Sequence, residues 1–275
     1  MELRDWLRFA EERLTRANFE SPKTEAWMLA AHVLRVDRSW LLAHPETEFN
    51  DLAGETLLQR REAGEPLAYI LGWREFYGRR FGVDRSVLIP RHETEVLIEA
   101  ALSLDQTAIG EVLDVGVGSG VLAITLKLER PNWNVTGVDL SPEALATASA
   151  NARFLKAQVR LINSDRFQAL LGESFDLIVS NPPYIGCDET LPAEIAEFEP
   201  ALALFAEEGG LAFYRQLARE AIACLNDDGL LLMEVGDRQS AAVRQIFLDA
   251  GWTPAGVWKD LLGTERVLGF TYLYL

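Results

Sequence analysis

The chain has 275 residues, 49% of them apolar, 25% charged and 9% aromatic, which excludes a disordered or collagen-like polypeptide and predicts one large domain with a smaller companion. Acidic residues outnumber basic ones by 42 to 26, and the imbalance is concentrated after Pro90, where 27 Asp and Glu face 13 Lys and Arg; a surface that grips phosphates carries the opposite bias, so direct nucleic-acid binding is not expected. No apolar run approaches the length of a membrane span, the first residues lack a signal-peptide pattern, and the 2 cysteines and 3 histidines have no metal-ligand spacing, so a cytoplasmic chain without a disulfide, a metal or a membrane contact is predicted.

At the start, Leu3, Trp6, Leu7, Ala10, Leu14 and Ala17 fall on one helical face, the stripe of a first amphipathic helix. Ser21 followed by Pro22 is a helix start, and Ala26, Trp27, Leu29, Ala30, Val33 and Leu34 continue it. A short segment around Trp40-Leu41-Leu42 and a longer one from Asp51 to Ala63 complete a helical bundle over residues 1–65, with Trp6, Trp27 and Trp40 expected in its core. From Pro66 the texture turns aromatic and β-branched, broken by Gly72, Gly78 and Gly82, and predicts a β-hairpin connector over 66–92.

A helix from Glu93 then opens a regular alternation that fills residues 93–275. Strands are predicted at Glu111–Val117, Asn134–Leu140, Val159–Asn163, Phe175–Ser180 and Leu230–Val235, and helices at Ser119–Glu129, Ser141–Leu155, Gly210–Leu225 and Gln239–Ala250. Short apolar strands separated by helices make an α/β fold whose parallel sheet is covered on both faces and binds ligands at the carboxyl ends of its strands. Two last strands, Trp252–Asp260 and Arg266–Leu275, have no helix between them and predict an antiparallel edge.

The first of these strands runs into Gly116-Val117-Gly118-Ser119-Gly120, and the second ends at Asp139. A glycine turn at a strand end lets ligand atoms approach the backbone, and an acid at the next strand's tip can accept both hydrogens of a ribose diol. A dinucleotide fingerprint needs its third glycine at position 121, which is Val121. The spacing therefore favours S-adenosylmethionine, whose cationic sulfonium also suits an acidic protein.

Beyond the fourth strand stands Asn181-Pro182-Pro183-Tyr184. Successive prolines present rigid backbone carbonyls, and Asn181 adds a side-chain carbonyl aimed at the same point. Two such acceptors can hold both hydrogens of a planar NH2 group, as in a carboxamide or a base amine, while Tyr184 offers a flat surface to the conjugated plane. Cys187, close by, is read as a filler residue, since methyl transfer needs no thiol; Glu93, Glu95 and Glu199 are read as structural or substrate-positioning.

This combination resembles the seven-strand S-adenosylmethionine-dependent methyltransferases of planar amino nitrogens. Within them, Gly64-Glu65-Pro66-Leu67-Ala68-Tyr69-Ile70-Leu71-Gly72, Glu75-Phe76-Tyr77-Gly78, Pro90-Arg91-His92-Glu93-Thr94-Glu95, Glu199-Pro200, Glu234-Val235-Gly236 and Glu265-Arg266-Val267 look like the glutamine methyltransferases of peptide chain release factors. The resemblance spans nearly the whole chain. It implies a Rossmann-like seven-strand sheet with an antiparallel last strand, preceded by a helical N-terminal substrate-recognition domain. It implies cofactor contacts at Gly116, Val117, Gly118, Ser119, Gly120, Asp139, Asp165, Arg166 and Asn181. The substrate amide would lie on Asn181, Pro182, Pro183 and Tyr184, with Asn181, Pro182 and Tyr184 as the catalytic group. The implied substrate is the glutamine of the Gly-Gly-Gln loop of translation release factors, met by a monomeric enzyme. His92 stands where the family usually has proline, and near Arg166 a bulky apolar or aromatic residue is common, so either Arg166 or Phe167 faces the adenine. A ribosomal-protein glutamine is the nearest alternative substrate. An adenine-N6 DNA enzyme is disfavoured by the charge, and a catalytically idle cofactor-binding protein by the intact acceptors at Asn181 and Pro182.

Overall fold

The computed structural model describes residues 1–104 and 109–272. They divide into two compact units, one of Met1–Gly72 with Pro192–Phe198 and one of Trp73–Leu191 with Glu199–Leu275.

The first unit is helical: Leu3–Arg16, Pro22–Leu34, Arg38–Ala43, Asp51–Glu62 and Leu67–Leu71, with a single turn at Ala193–Ala196. Leu3, Trp6, Leu7, Ala10 and Leu14 bury the predicted stripe. Two of the helix starts are set by side-chain caps, with Asp37 accepting from the Trp40 N–H (2.7 Å) and Asn50 from the Ala53 N–H (3.2 Å). Arg61 is buried, paired with Glu25 (2.6 Å) and Glu194 (3.1 Å) and lying 3.9 Å over the Phe19 ring. Glu194 thus ties the distant segment 192–198 into this unit. Of the three tryptophans expected in the core, only Trp6 is there. Trp27 and Trp40 are half-buried at the surface, where Trp27 lies under the Arg38 guanidinium (5.7 Å) and Trp40 stacks on His44 (4.3 Å). Their indoles are covered by Arg38 of the next helix and by His44 one turn on, which helical spacing alone does not distinguish from burial.

The second unit opens with the hairpin β1 (Trp73–Phe76) and β2 (Arg79–Gly82). The stretch 66–92 is therefore mixed: Leu67–Leu71 is helical, closed by Gly72, and the hairpin buries Phe76 and Phe81 in the second unit's core. The remaining strands are β3 (Glu111–Val115), β4 (Asn134–Asp139), β5 (Val159–Asn163), β6 (Phe175–Ser180), β7 (Ile185–Gly186), β8 (Phe205–Ala206), β9 (Leu225–Glu234), β10 (Thr253–Lys259) and β11 (Glu265–Thr271). Seven of them form one sheet in the order β10-β11-β9-β6-β3-β4-β5, in which β11 runs antiparallel to both of its neighbours and the other pairings are parallel.

Alternation along the strands feeds two cores. Leu113, Val115, Ile178, Leu231 and Met233 face the helices Ala212–Glu220 and Ser240–Asp249. Val112, Leu177, Val179 and Leu232 face Glu95–Leu102, Val121–Glu129 and Pro142–Leu155. The chain moves outward from β3 to β4 and β5, then returns to place β6 on the other side of β3. That reversal opens a crevice at the carboxyl ends of β3 and β6.

The last two strands close the sheet with the expected antiparallel edge, in which β11 slots between β9 and β10 and β10 takes the rim. Burial explains the order, because Val267, Leu268 and Phe270 are buried while Thr253, Pro254 and Ala255 are exposed, and Pro254 has no N–H to offer a further strand. The expected end of that strand, 273–275, lies outside the described residues. The fifth parallel strand starts at Leu225 instead of Leu230, its opening residue pairing with Phe175 ahead of an irregularity in the ladder.

Candidate active site

The glycine loop follows β3 directly. The N–H groups of Gly116 and Val117 both donate to the Val138 carbonyl (2.9 Å each), so the loop is stitched to the end of β4. Gly116 has φ +80°, and a Cβ there would project into space free of described atoms within 4 Å. The backbone is bare where a ligand would come closest. Gly120 serves packing instead. It has φ +86°, and a Cβ on it would stand 2.7 Å from Ile124 Cδ1 and 3.3 Å from Ala148 Cβ, so its bare Cα lets the helices Val121–Glu129 and Pro142–Leu155 close on the loop.

Asp139 is held by the same loop. Its Oδ2 accepts from the Gly118 N–H (2.8 Å) and its Oδ1 from the Ser141 N–H (2.9 Å), leaving further lone pairs on both oxygens for the cleft it lines. Beneath the loop, Asp114 is fully buried; Oδ2 accepts from the Ala123 N–H (3.0 Å) and Oδ1 has no partner. Burial pushes its pKa up to about 7, against the pull of that N–H, and the nearby Asp139 charge adds to the rise.

Around these groups lies a cleft of about 520 Å³, the size range of small-molecule sites. The positions expected at the cofactor all line it: Gly116, Val117, Gly118, Ser119, Asp139, Asp165, Arg166 and Asn181, with the exception of Gly120, whose role is in helix packing. Asn181 directs Nδ2 to Thr94 Oγ1 (3.1 Å), which turns its side-chain carbonyl away from that bond. Pro183 also lines the cleft. Pro182 is buried, and Tyr184 is outside the lining, with its ring packed on the core beside β9 and its pKa raised by burial and by the neighbouring Glu234. The Tyr184 carbonyl accepts from Gln239 Nε2 (2.8 Å).

Of the adjacent pair at the turn after β5, Arg166 is at the cleft and Phe167 in the core. Arg166 adopts φ +51° and is fixed by Asp165 (2.6 Å) and Glu220 (2.9 Å). Glu199 is buried and accepts from the Ile89 N–H (3.0 Å) and from Arg91 Nη2 (2.5 Å), tying the strap 87–91 to the loop that begins at Pro200. Glu95 accepts from the Tyr77 N–H (2.9 Å), while Glu93 is exposed, as is His92. Leu88, Pro90, Arg91, Leu202, Phe205 and Phe213 also line the cleft, site residues that the sequence did not single out. The only signal for them lay in the motifs Pro90-Arg91 and Glu199-Pro200. Among the described residues no cluster of His, Cys, Asp and Glu could hold a metal, and no helix is long and apolar enough to cross a membrane.

Comparison with known proteins matches residues 5–72 to the PrmC N-terminal domain and residues 92–242 to the methyltransferase small domain. The chain is 43% identical to the release factor glutamine methyltransferase of Koribacter versatilis, over 94% of each protein. It is 39% identical to the protein of that description from Salmonella typhimurium, over 97% of this chain and 98% of the other. A bifunctional methyltransferase of Rickettsia bellii is 37% identical over 96% of this chain, which spans 53% of that longer protein. A methyltransferase from Pyrococcus furiosus shares the fold at TM-score 0.53 and 18% identity, over 72% of this chain and 91% of that one. So does the hMettl16 catalytic domain, at TM-score 0.55 and 16% identity, over 77% and 80%.

Proposed function

The chain belongs to the release factor glutamine methyltransferase family, and on that premise we propose that it transfers a methyl group from S-adenosylmethionine to the side-chain amide nitrogen of the Gly-Gly-Gln glutamine in translation release factors. The observation that carries this reading is Asn181 at the cleft wall with its NH2 engaged by Thr94, which leaves its carbonyl as a fixed acceptor beside the glycine loop.

The residues present fit the cofactor. Asp139 is preset by two backbone donors to take a ribose diol, the bare backbone at Gly116 admits close approach, and Leu140, Leu122 and Phe213 give the cleft apolar walls. When bound, S-adenosylmethionine supplies a methyl on a sulfonium sulfur, which keeps the bond's electron pair and leaves as a neutral thioether. The chain's part is orientation. An amide nitrogen is a poor nucleophile because its lone pair is delocalised into the carbonyl. The Asn181 side-chain carbonyl and the Pro182 backbone carbonyl accept its two hydrogens, fix the plane of the group and favour the pyramidal form whose lone pair is free to attack. One of those hydrogens departs as a proton once nitrogen carries the methyl. Arg91, Leu202 and Phe205 of the cleft lining help shut out the water that would solvate the amide. The helical residues 1–65 serve recognition of the release factor, since the cofactor and amide motifs all follow Arg91.

The test is incubation of the chain with S-adenosylmethionine and purified release factors, with ribosomal proteins in parallel, followed by tandem mass spectrometry. One methyl group on the Gly-Gly-Gln glutamine amide is the expected product. Methylation confined to ribosomal proteins, or to another side chain, would contradict the proposal.

A further inference from the structure

The Pro182 carbonyl is half of the proposed amide clamp, yet its own stretch of backbone has little to hold it by. Residues 182 and 183 are prolines without an N–H, so the segment has no donors of its own and is fixed from its two ends. The entry is secured: Ser180 pairs with Met233 of β9, its hydroxyl donates to the Val115 carbonyl (2.8 Å), and Asn181 Nδ2 donates to Thr94 Oγ1 (3.1 Å). The exit is Tyr184, and what secures it comes from far along the chain.

Gln239, the residue before the helix Ser240–Asp249, donates from Nε2 to the Tyr184 carbonyl (2.8 Å) and reaches the Gly209 carbonyl at 3.5 Å. Both oxygens only accept, so the Gln239 amide cannot reverse without setting its own carbonyl against them. Two glycines shape the place. A Cβ on Gly210, whose φ is +85°, would collide with the Tyr184 carbonyl and stand 2.8 Å from Gln239 Nε2, and one on Gly236 would stand 2.6 Å from Gln239 Oε1 and 2.9 Å from Tyr184 Cδ2. Bare Cα atoms on both sides therefore let the amide and the carbonyl meet. Gln239 Oε1 is buried without a partner among the described residues, a cost that an apolar side chain would avoid, so what the amide contributes there is its N–H groups. The next two residues, Ile185 and Gly186, pair with Phe205 and Ala206 of β8, which holds the chain just past Tyr184 as well.

We propose that Gln239 is a positioning residue for methyl transfer: by holding the Tyr184 carbonyl it fixes the exit of the Pro-Pro segment and, with it, the direction in which the Pro182 carbonyl meets the substrate nitrogen. This rests on the amide-transfer reading above. Gln239 does not line the cleft, so it acts through Tyr184 and touches neither substrate nor cofactor. With φ locked at both prolines, a shift at Tyr184 is passed back to the 182–183 peptide instead of being absorbed. A misplacement of about 1 Å at a reacting centre costs about a hundredfold in rate.

The experiment uses the full-length chain and intact release factor under saturating cofactor, comparing Gln239→Met and Gln239→Glu with the unaltered chain. Gln239→Met keeps the length of the side chain and removes its N–H groups, whereas Gln239→Glu keeps the shape and puts an acceptor in place of the donor. Both are expected to slow single-turnover methyl transfer about tenfold or more, while the dissociation constant for S-adenosylhomocysteine and the KM for release factor move by less than about twofold. A carboxyl group facing two carbonyls regains a donor when it is protonated. The Gln239→Glu deficit, taken relative to the unaltered chain at each pH, should therefore shrink about threefold or more between about pH 8.5 and about pH 5.5, and the Gln239→Met deficit should stay constant. Wild-type transfer in Gln239→Met, a loss carried by KM or by cofactor affinity instead of by rate, or deficits of the two variants that run parallel with pH would each overturn the proposal while the unaltered chain remained active. Should one variant fail to fold, the rate and pH profile of the other, set against the unaltered chain, still decide. An unaltered chain that methylates no release factor would instead sink the amide-transfer reading, and this role of Gln239 with it.

Discussion

Asp139 is already aimed before any ligand arrives: each carboxylate oxygen accepts one backbone N–H, from Gly118 and from Ser141, and keeps a further lone pair for the cleft. In the proposed function its bonds to a ribose would need no reorganisation, and hydrogen bonds to a charged acceptor are worth about 1.5–3 kcal/mol each. Asp139→Ala is expected to weaken S-adenosylhomocysteine binding about a hundredfold or more, read by calorimetric titration; an unchanged dissociation constant would take Asp139 out of the site. Its place in the cleft was legible because an acid at a strand tip beside a glycine turn is expected at a ligand crevice. Arg166 and Phe167 were not separable in the sequence. Neighbours in a turn point opposite ways, and what sends Arg166 to the cleft and Phe167 to the core is a φ of +51° together with the Glu220 carboxylate on a helix of the other half of the unit. Tyr184 reads as a flat surface for an amide plane, yet its surroundings are set by Glu234 and Gln239, residues some fifty positions later.

Elements carry the next layer. Strands β5 and β6 begin and end where alternation and flanking turns put them, since both are short apolar runs with clear punctuation. Helix starts at Pro22 and Pro142 were equally plain, because a Ser before a Pro states the cap and the first turn together. The order of the last two strands was not, because pairing partners depend on which edge of β9 remains open; only Pro254 hinted that β10 is the rim. At the loop between β3 and the following helix, Gly120 is required by packing and by its φ of +86°. Gly120→Ala is expected to cost about 1–3 kcal/mol of stability, from left-handed strain and displacement of Ile124. Chemical denaturation will measure it, and a midpoint equal to that of the unaltered chain would show that the loop does not depend on this close approach.

For the molecule as a whole, the sheet reversal between β3 and β6 brings the glycine loop, Asp139 and Asn181 to one crevice, although Gly116 and Asn181 lie far apart in the chain. The family's motifs made that convergence readable in advance. The division into units was less so: segment 192–198 follows the Asn-Pro-Pro-Tyr loop in sequence but packs with the N-terminal helices through the pairing of Glu194 with Arg61, a contact between residues too far apart for any local pattern to reveal. In the proposed function the Asn181 carbonyl would be the side-chain half of the amide clamp. The decisive measurement is single-turnover methylation of intact release factor by Asn181→Ala under saturating cofactor, set beside its affinity for S-adenosylhomocysteine. Loss of one fixed partner at a reacting nitrogen should slow transfer about a hundredfold or more, while the folded chain keeps most of its cofactor affinity. Wild-type turnover in Asn181→Ala would contradict the clamp and the amide chemistry built on it.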